Sequence, residues 1–197
     1  MAEAKMKEIN RRQVLGIVGS PRRGGNTEIM VDEVLRGAEE AGAEVRKVIL
    51  SDLDIAPCDA CMACETTGEC TIADDMEGLL KQMEQSDVWV LGTPVYWWGP
   101  SAQFKTFVDR WFSKVFGPQD KAIFRGRRVI LVIPMGEADP ATARHTVGMM
   151  TDTLNHVEAE LFATVLAPGA DSLGEVRQHA EVLAAAHRAG IEAVQYA

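Results

Sequence analysis

Short apolar runs alternate with helix-period segments five times along the chain, which predicts an α/β fold with a doubly wound parallel sheet of five strands and helices on both faces. Two further observations support it. The runs are continuously apolar rather than alternating, as strands covered on both sides require. No internal repeat or low-complexity linker interrupts the alternation. A chain of 197 residues suits one domain, 1–197, with a cysteine-rich insertion at 57–71.

Val14 to Val18 form the first run, ending at Gly19 in a loop rich in Gly and Arg. After Asn26 and Thr27, Met30, Val34, Leu35 and Ala38 recur at helical spacing until Gly42 supplies a stop. Val45, Val48, Ile49 and Leu50 give strand two. Beyond the cysteines, Asp74 with Glu77 resembles a capping box, and Met76, Leu79, Leu80 and Met83 line one face of the helix that follows. Val88 to Gly92 is strand three. Phe104, Phe107, Val108, Trp111, Phe112 and Val115 then form one long apolar helical stripe, read as core. Arg128 to Pro134 and Glu160 to Leu166 are strands four and five, with helices around Ala141 to His156 and Glu175 to Ala189.

Composition narrows the function. The hydrophobic fraction of 47% includes no run near the ~20 apolar residues of a membrane span. A net charge of −9 argues against a nucleic-acid partner, which needs a basic face. Met1 to Arg12 lack the apolar centre of a secretory signal, so a cytoplasmic protein is expected. All four cysteines lie between Cys58 and Cys70, which in a reducing compartment suggests metal or redox chemistry.

Ligands of such sheets bind beyond the carboxyl ends of the strands, where strand order reverses. Three loops emerge there. Gly19 to Thr27 resembles an anion cradle: backbone N–H groups at a helix start carry positive partial charge, Ser20, Asn26 and Thr27 add hydrogen bonds, and Arg22 adds charge. It lacks both common nucleotide fingerprints, and a plain strand-to-helix turn capped by Ser or Asn is the alternative. Thr93 to Pro100 carries Tyr96, Trp97 and Trp98 in succession, where neither helical nor strand periodicity would place them. They suit a flat ring such as isoalloxazine, or else form an apolar lid or subunit contact. Met135 and Gly136 sit in a third loop that would close the other side.

Gly19-Ser20-Pro21-Arg22 with Asn26-Thr27, and Thr93-Pro94-Val95-Tyr96 followed by Ser101-Ala102-Gln103 and Lys105, resemble the phosphate and ring loops of the NAD(P)H-dependent FMN reductase group of flavodoxin-like proteins. The resemblance implies strand order 2-1-3-4-5 and non-covalent FMN. It places Ser20, Arg22, Asn26 and Thr27 at the phosphate and Pro94, Val95, Tyr96, Trp97 and Trp98 near the ring.

Cys58, Cys61, Cys64 and Cys70 read C-x2-C-x2-C-x5-C. Such crowding suits a [4Fe–4S] cluster, one thiolate per iron, with Gly68 helping the chain return. Zinc, which usually recruits two separated pairs, and free or redox-active thiols are the alternatives. The segment resembles the cysteine motif of iron–sulfur flavoproteins, a branch of the same superfamily.

His145, His156, His179 and His187 lack ligand spacing. Asp109 and Arg110 suggest an ion pair anchoring their helix, and Arg125, Arg127 and Arg128 a solvated basic face. No protein acid, base or nucleophile is required if a flavin carries the electrons. The leading reading is an FMN-dependent oxidoreductase with a [4Fe–4S] cluster, taking electrons from ferredoxin or NAD(P)H and passing them to a small-molecule or protein acceptor. The alternatives are a cluster-free NAD(P)H-dependent reductase of FMN or quinones and a non-catalytic flavin electron carrier. Apolar surface around Tyr96 to Trp98 leads us to expect a homodimer or homotetramer.

Overall fold

The computed structural model describes residues 11–195. Most of the polar amino-terminal stretch behind the no-signal expectation lies outside them. The chain runs β1 (Gln13–Val18), α1 (Asn26–Glu40), β2 (Glu44–Ile49), α2 (Cys64–Thr67), α3 (Met76–Glu84), β3 (Val88–Gly92), β4 (Val95–Tyr96), β5 (Gly99–Pro100), α4 (Ala102–Asp109), α5 (Phe112–Val115), β6 (Arg128–Pro134), α6 (Arg144–His156), β7 (Glu160–Ala167) and α7 (Ala180–Gln195).

The main sheet is parallel throughout, in the order β2-β1-β3-β6-β7. With the separate β4–β5 hairpin set aside, this is the expected order 2-1-3-4-5. Every residue of β3, and all of β6 except Arg128, is buried. Successive side chains of a strand point to opposite faces, so the two covering layers divide them. Trp89 and Leu91 join Leu15, Ile17, Leu131 and the apolar stripes of α3, α4 and α6 on one face. Val88 and Val90 join Val14, Val18, Val132, α1 and α7 on the other.

The second layer depends on two glycines. A Cβ at Gly37 would lie 2.1 Å from the His187 carbonyl oxygen, and one at Gly190 would lie 2.0 Å from that of Val34. Those positions let α1 and α7 approach backbone to backbone. On the opposite face Trp111 packs against Phe107 at 5.3 Å and Phe124 at 5.0 Å between ring centroids.

Four local expectations need correction. The long stripe from Phe104 to Val115 divides at Arg110–Trp111 into α4 and α5, and Phe112 is only half-buried. The capping box does not close: Asp74 accepts a 3.0 Å bond from the Met76 N–H, but Glu77 instead meets Lys81 at 2.6 Å. Residues 175–178 form a separate 3-10 turn, and α7 begins at Ala180. Thr93 to Pro100, expected as a loop, contains the antiparallel hairpin β4–β5. Among the described residues no helix is long and apolar enough to cross a membrane.

Candidate functional site

At the carboxyl ends of β1, β3 and β6, next to the reversal between β1 and β3, lies a cleft of about 510 Å³. Ser20, Arg22, Asn26 and Thr27 line one side, Pro94 to Trp98 a second, and Met135 and Gly136 a third. Ser20, Arg22, Asn26, Thr27, Pro94 to Trp98, Met135 and Gly136 therefore line one space. Thr142, Ala170 and Asp171 also line it and were not foreseen.

The first side leaves donors free. Gly25 precedes α1 in extended conformation, and no side chain caps the helix. The backbone N–H groups of Asn26, Thr27 and Glu28, three of the four that a helix start orphans, have no backbone partner among the described residues. The Glu28 carboxylate is engaged elsewhere, accepting from the Gly24 N–H at 2.8 Å and pairing with Lys47 at 2.8 Å. The Lys47 ammonium is the main cause that holds its pKa below the ordinary value, outweighing burial. Ser20 accepts a 3.2 Å bond from the Arg22 N–H, which turns the loop. Arg22 reaches the Asp171 carbonyl at 3.2 Å, whereas Arg23 is drawn away by Asp52.

Asn26 and Thr27 differ. The Asn26 amide donates to the Ala170 and Ser172 carbonyls, both at 2.9 Å, and accepts from the Val176 N–H at 3.1 Å. Its polar atoms are spent on tying α1 to the loop after β7. Its backbone N–H, by contrast, has no partner among the described residues, and Asn26 lines the cleft. Thr27 is 2% exposed and lines the cleft, and no hydrogen bond engages its hydroxyl among the described residues.

The second side is the hairpin. Val95 pairs with Pro100 and Tyr96 with Gly99, so Trp97 and Trp98 are the two turn residues. Both adopt left-handed backbone, with φ of 50° and 62°. Such turns normally select Asn and Gly, and two tryptophans are costly there. Trp97 is 90% exposed and Trp98 50%. Thr93 accepts from the Ser101 N–H at 3.0 Å, and Ser101 caps α4 at the Phe104 N–H while donating to the Gly19 carbonyl. One buried serine thus joins the start of the hairpin segment, the loop after β1 and α4.

The cysteines lie apart from this cleft. All four line a small apolar pocket of about 60 Å³ with Thr71 and Phe112. Cys58 and Cys61 are exposed, Cys64 is buried and Cys70 is intermediate. The backbone coils tightly, with left-handed φ at Ala60, Met62 and Gly68. Burial, then the neighbouring Cys70, Cys61 and Cys58, push the Cys64 thiol up from its ordinary pKa. Among the described residues no three His, Cys, Asp or Glu side chains converge to hold a single metal ion.

A family model described as NADPH-dependent FMN reductase matches residues 12–178. The chain belongs to this family. An iron-sulfur flavoprotein of Methanocaldococcus jannaschii is 44% identical over 98 residues, covering 50% of this chain and 51% of that protein. One from Archaeoglobus fulgidus is 40% identical over 118 residues, covering 60% and 54%. The chain spans about half the length of the curated relatives it matches. An NAD(P)H:quinone oxidoreductase from Methanothermobacter marburgensis shares the fold, with TM-score 0.72 at 16% identity over 92% of this chain and 98% of that one.

Within this FMN reductase fold the sequence concealed one polar centre. Arg110 does not pair with Asp109, which meets Lys105 at 2.5 Å. It turns inward to Asp74 at 2.5 Å, both side chains nearly fully buried. Burial raises the Asp74 pKa, but the Arg110 guanidinium and the Ala56 and Met76 N–H groups outweigh it and hold the carboxyl below its ordinary value. His187 meets Glu40 at 2.9 Å and His156 stacks on Phe116. Arg125 and Arg128 pair with Glu158 and Glu160, and Arg127 reaches the Ile123 and Glu84 carbonyls.

Proposed function

We propose that the chain is an FMN-dependent oxidoreductase. The observation that carries this reading is the uncapped start of α1, whose free N–H groups and unengaged Thr27 hydroxyl face a cleft walled by an aromatic hairpin. A terminal phosphate suits the first feature and a flat ring the second. Ser20, Arg22 and Thr27 hold the phosphate, with Asn26 setting the loop they sit on. Pro94 to Trp98 flank the ring, and Met135 and Gly136 close its far side. A side chain at Gly136 would begin 3.1 Å from Asp171, so this wall admits little growth.

Bound FMN supplies the electron chemistry, and the protein binds, orients and tunes it without an acid or base of its own. Cys58, Cys61, Cys64 and Cys70 hold a [4Fe–4S] cluster, a second redox centre. A cage of four irons asks for thiolates spread around one pocket rather than aimed at one ion, and the curated relatives are named iron-sulfur flavoproteins. Electrons enter from ferredoxin or NAD(P)H and leave to a small-molecule or protein acceptor. We place this activity in the cytoplasm, in one domain with the cysteine segment inserted, acting as a homodimer or homotetramer. The exposed Tyr96, Trp97 and Trp98 support the assembly.

The second reading is a cluster-free NAD(P)H-dependent reductase of FMN or quinones. Family membership and the exposure of Cys58 and Cys61 favour it. Anaerobic purification with FMN, iron and acid-labile sulfide measured on one sample separates them. About four irons per FMN supports the first reading. FMN without iron after reconstitution, with NAD(P)H oxidation by quinone, supports the second. Protein that neither carries nor takes up FMN overturns both, and FMN with no turnover leaves an electron carrier.

A further inference from the structure

The cysteine segment leaves the fold at Ala56 and returns at Ile72, two residues outside Cys58 and Cys70 respectively. One side chain grips both points. Arg110 donates Nη1 to the Ala56 carbonyl at 2.8 Å and to Asp74 Oδ2 at 2.5 Å. It donates Nη2 to Asp74 Oδ1 at 3.1 Å and to the Ile72 carbonyl at 3.4 Å. Asp74 closes the clasp by accepting from the Ala56 N–H at 3.0 Å. The residue is 3% exposed, and its fifth donor, Nε, is buried without a hydrogen-bond partner among the described residues.

An orphaned donor on an otherwise saturated buried cation requires an explanation. Asp74 is already engaged through both oxygens. Burial lowers the Arg110 pKa, but the bond to Asp74, with contributions from Cys70, outweighs it and holds the guanidinium above its ordinary value. The same cation therefore sits between a carboxylate and the two backbone carbonyls that flank the cysteine segment.

We propose that Arg110 is the positioning and charge-compensating residue of the cysteine site: it fixes both ends of the segment and holds a buried positive charge between the points where the segment leaves and rejoins the fold. This rests on the cluster reading above. Thiolates gathered in an apolar pocket repel one another, and a cation held beside them lowers that cost. Net charge and hydrogen bonds to sulfur also set the reduction potential of iron–sulfur centres. Arg110 and Asp74 then act with opposite sign. Removing the guanidinium makes the cluster harder to reduce, and neutralising the carboxylate makes it easier.

The test compares wild type, R110Q, D74N and the double variant D74N/R110Q, each reconstituted anaerobically with iron and sulfide. Iron per FMN and the midpoint potential of the iron–sulfur absorbance are measured. The potential is expected to move negative in R110Q and positive in D74N, with the double variant between them. A clasp that is merely structural would lower iron content in both single variants without opposite shifts, and shifts of the same sign, or none, overturn the proposal. If R110Q fails to fold, D74N and the double variant give the comparison, because neither leaves a buried carboxylate unpaired. If wild type binds FMN but takes up no iron, the cluster reading falls and the proposal that rests on it is overturned with it; if wild type takes up iron, the signs of the two shifts decide the proposal alone.

Discussion

At the start of α1, Asn26 and Thr27 are both buried, yet only Asn26 has its side-chain polar atoms satisfied among the described residues. The two should separate in experiment. Thr27→Val keeps shape and removes a hydroxyl that nothing else in the described chain uses. It should weaken FMN binding by about 1.5–3 kcal/mol, the worth of a hydrogen bond to a charged group, and change stability by less than about 0.5 kcal/mol. Asn26→Leu strands the Ala170 carbonyl and the Val176 N–H, while the Ser172 carbonyl keeps the Glu175 N–H, so it should cost about 2–4 kcal/mol of stability as well as affinity. Titration calorimetry with FMN and denaturant melts on both variants give the comparison. Unchanged affinity in Thr27→Val would remove the phosphate role from its hydroxyl.

The hairpin β4–β5 shows what a single element can store. Strain of about 1–3 kcal/mol accompanies each residue held in a sparsely populated backbone region, and Trp97 and Trp98 both sit in one. Replacing them with Asn and Gly, the pair such a turn prefers, should raise the melting temperature by about 2–4 °C for each kcal/mol released, while flavin or acceptor binding weakens. A lower melting temperature would show that the indoles stabilise the turn more than the backbone strains it. This hairpin was invisible in the sequence because its turn carries none of the usual residues, whereas β1, β3 and β6 were legible as uninterrupted apolar runs. The division of α4 from α5 was hidden for a different reason. Arg110 interrupts the apolar stripe as a polar residue that looks exposed, yet it turns inward to Asp74, a partner remote in sequence. That pair also has a pH signature. Folding lowers the Asp74 pKa, so the pair stabilises the fold above the ordinary value of 3.8, and this contribution is lost as pH falls through the lower folded value. The stability gap between wild type and D74N should therefore shrink between about pH 5 and pH 2 in denaturant titrations. A gap independent of pH would place the stabilisation in packing instead.

Across the whole molecule, the cleft was legible because each of its walls follows directly from the end of a strand, where a doubly wound sheet puts its ligands. The loop after β7, which brings Ala170 and Asp171 to the same cleft, carried no comparable signal, since its part is set by the reach of Asn26. The phosphate loop and the cysteine segment leave different strands, β1 and β2, yet one line of contacts joins them. Gly19 accepts from Ser101, Ser101 caps α4, and Arg110 just beyond α4 clasps Asp74, Ala56 and Ile72. The line connects two separately built sites: no residue of the cysteine pocket lines the cleft. Cys61 is exposed and, among the described residues, the one hydrogen bond of its sulfur is to the Thr71 hydroxyl, at 3.3 Å, so Cys61→Ala should abolish iron uptake while FMN affinity stays within about twofold. Ser101→Ala cuts the line at its flavin end. Loss of the helix cap costs about 1 kcal/mol, and the Gly19 carbonyl loses its buried donor, so FMN affinity should fall while iron per chain is retained. Iron and FMN assays on the two variants therefore give reciprocal losses. If Cys61→Ala released the flavin as well, the cysteine pocket would be structurally required by the cleft, and the separation of the two sites would fail.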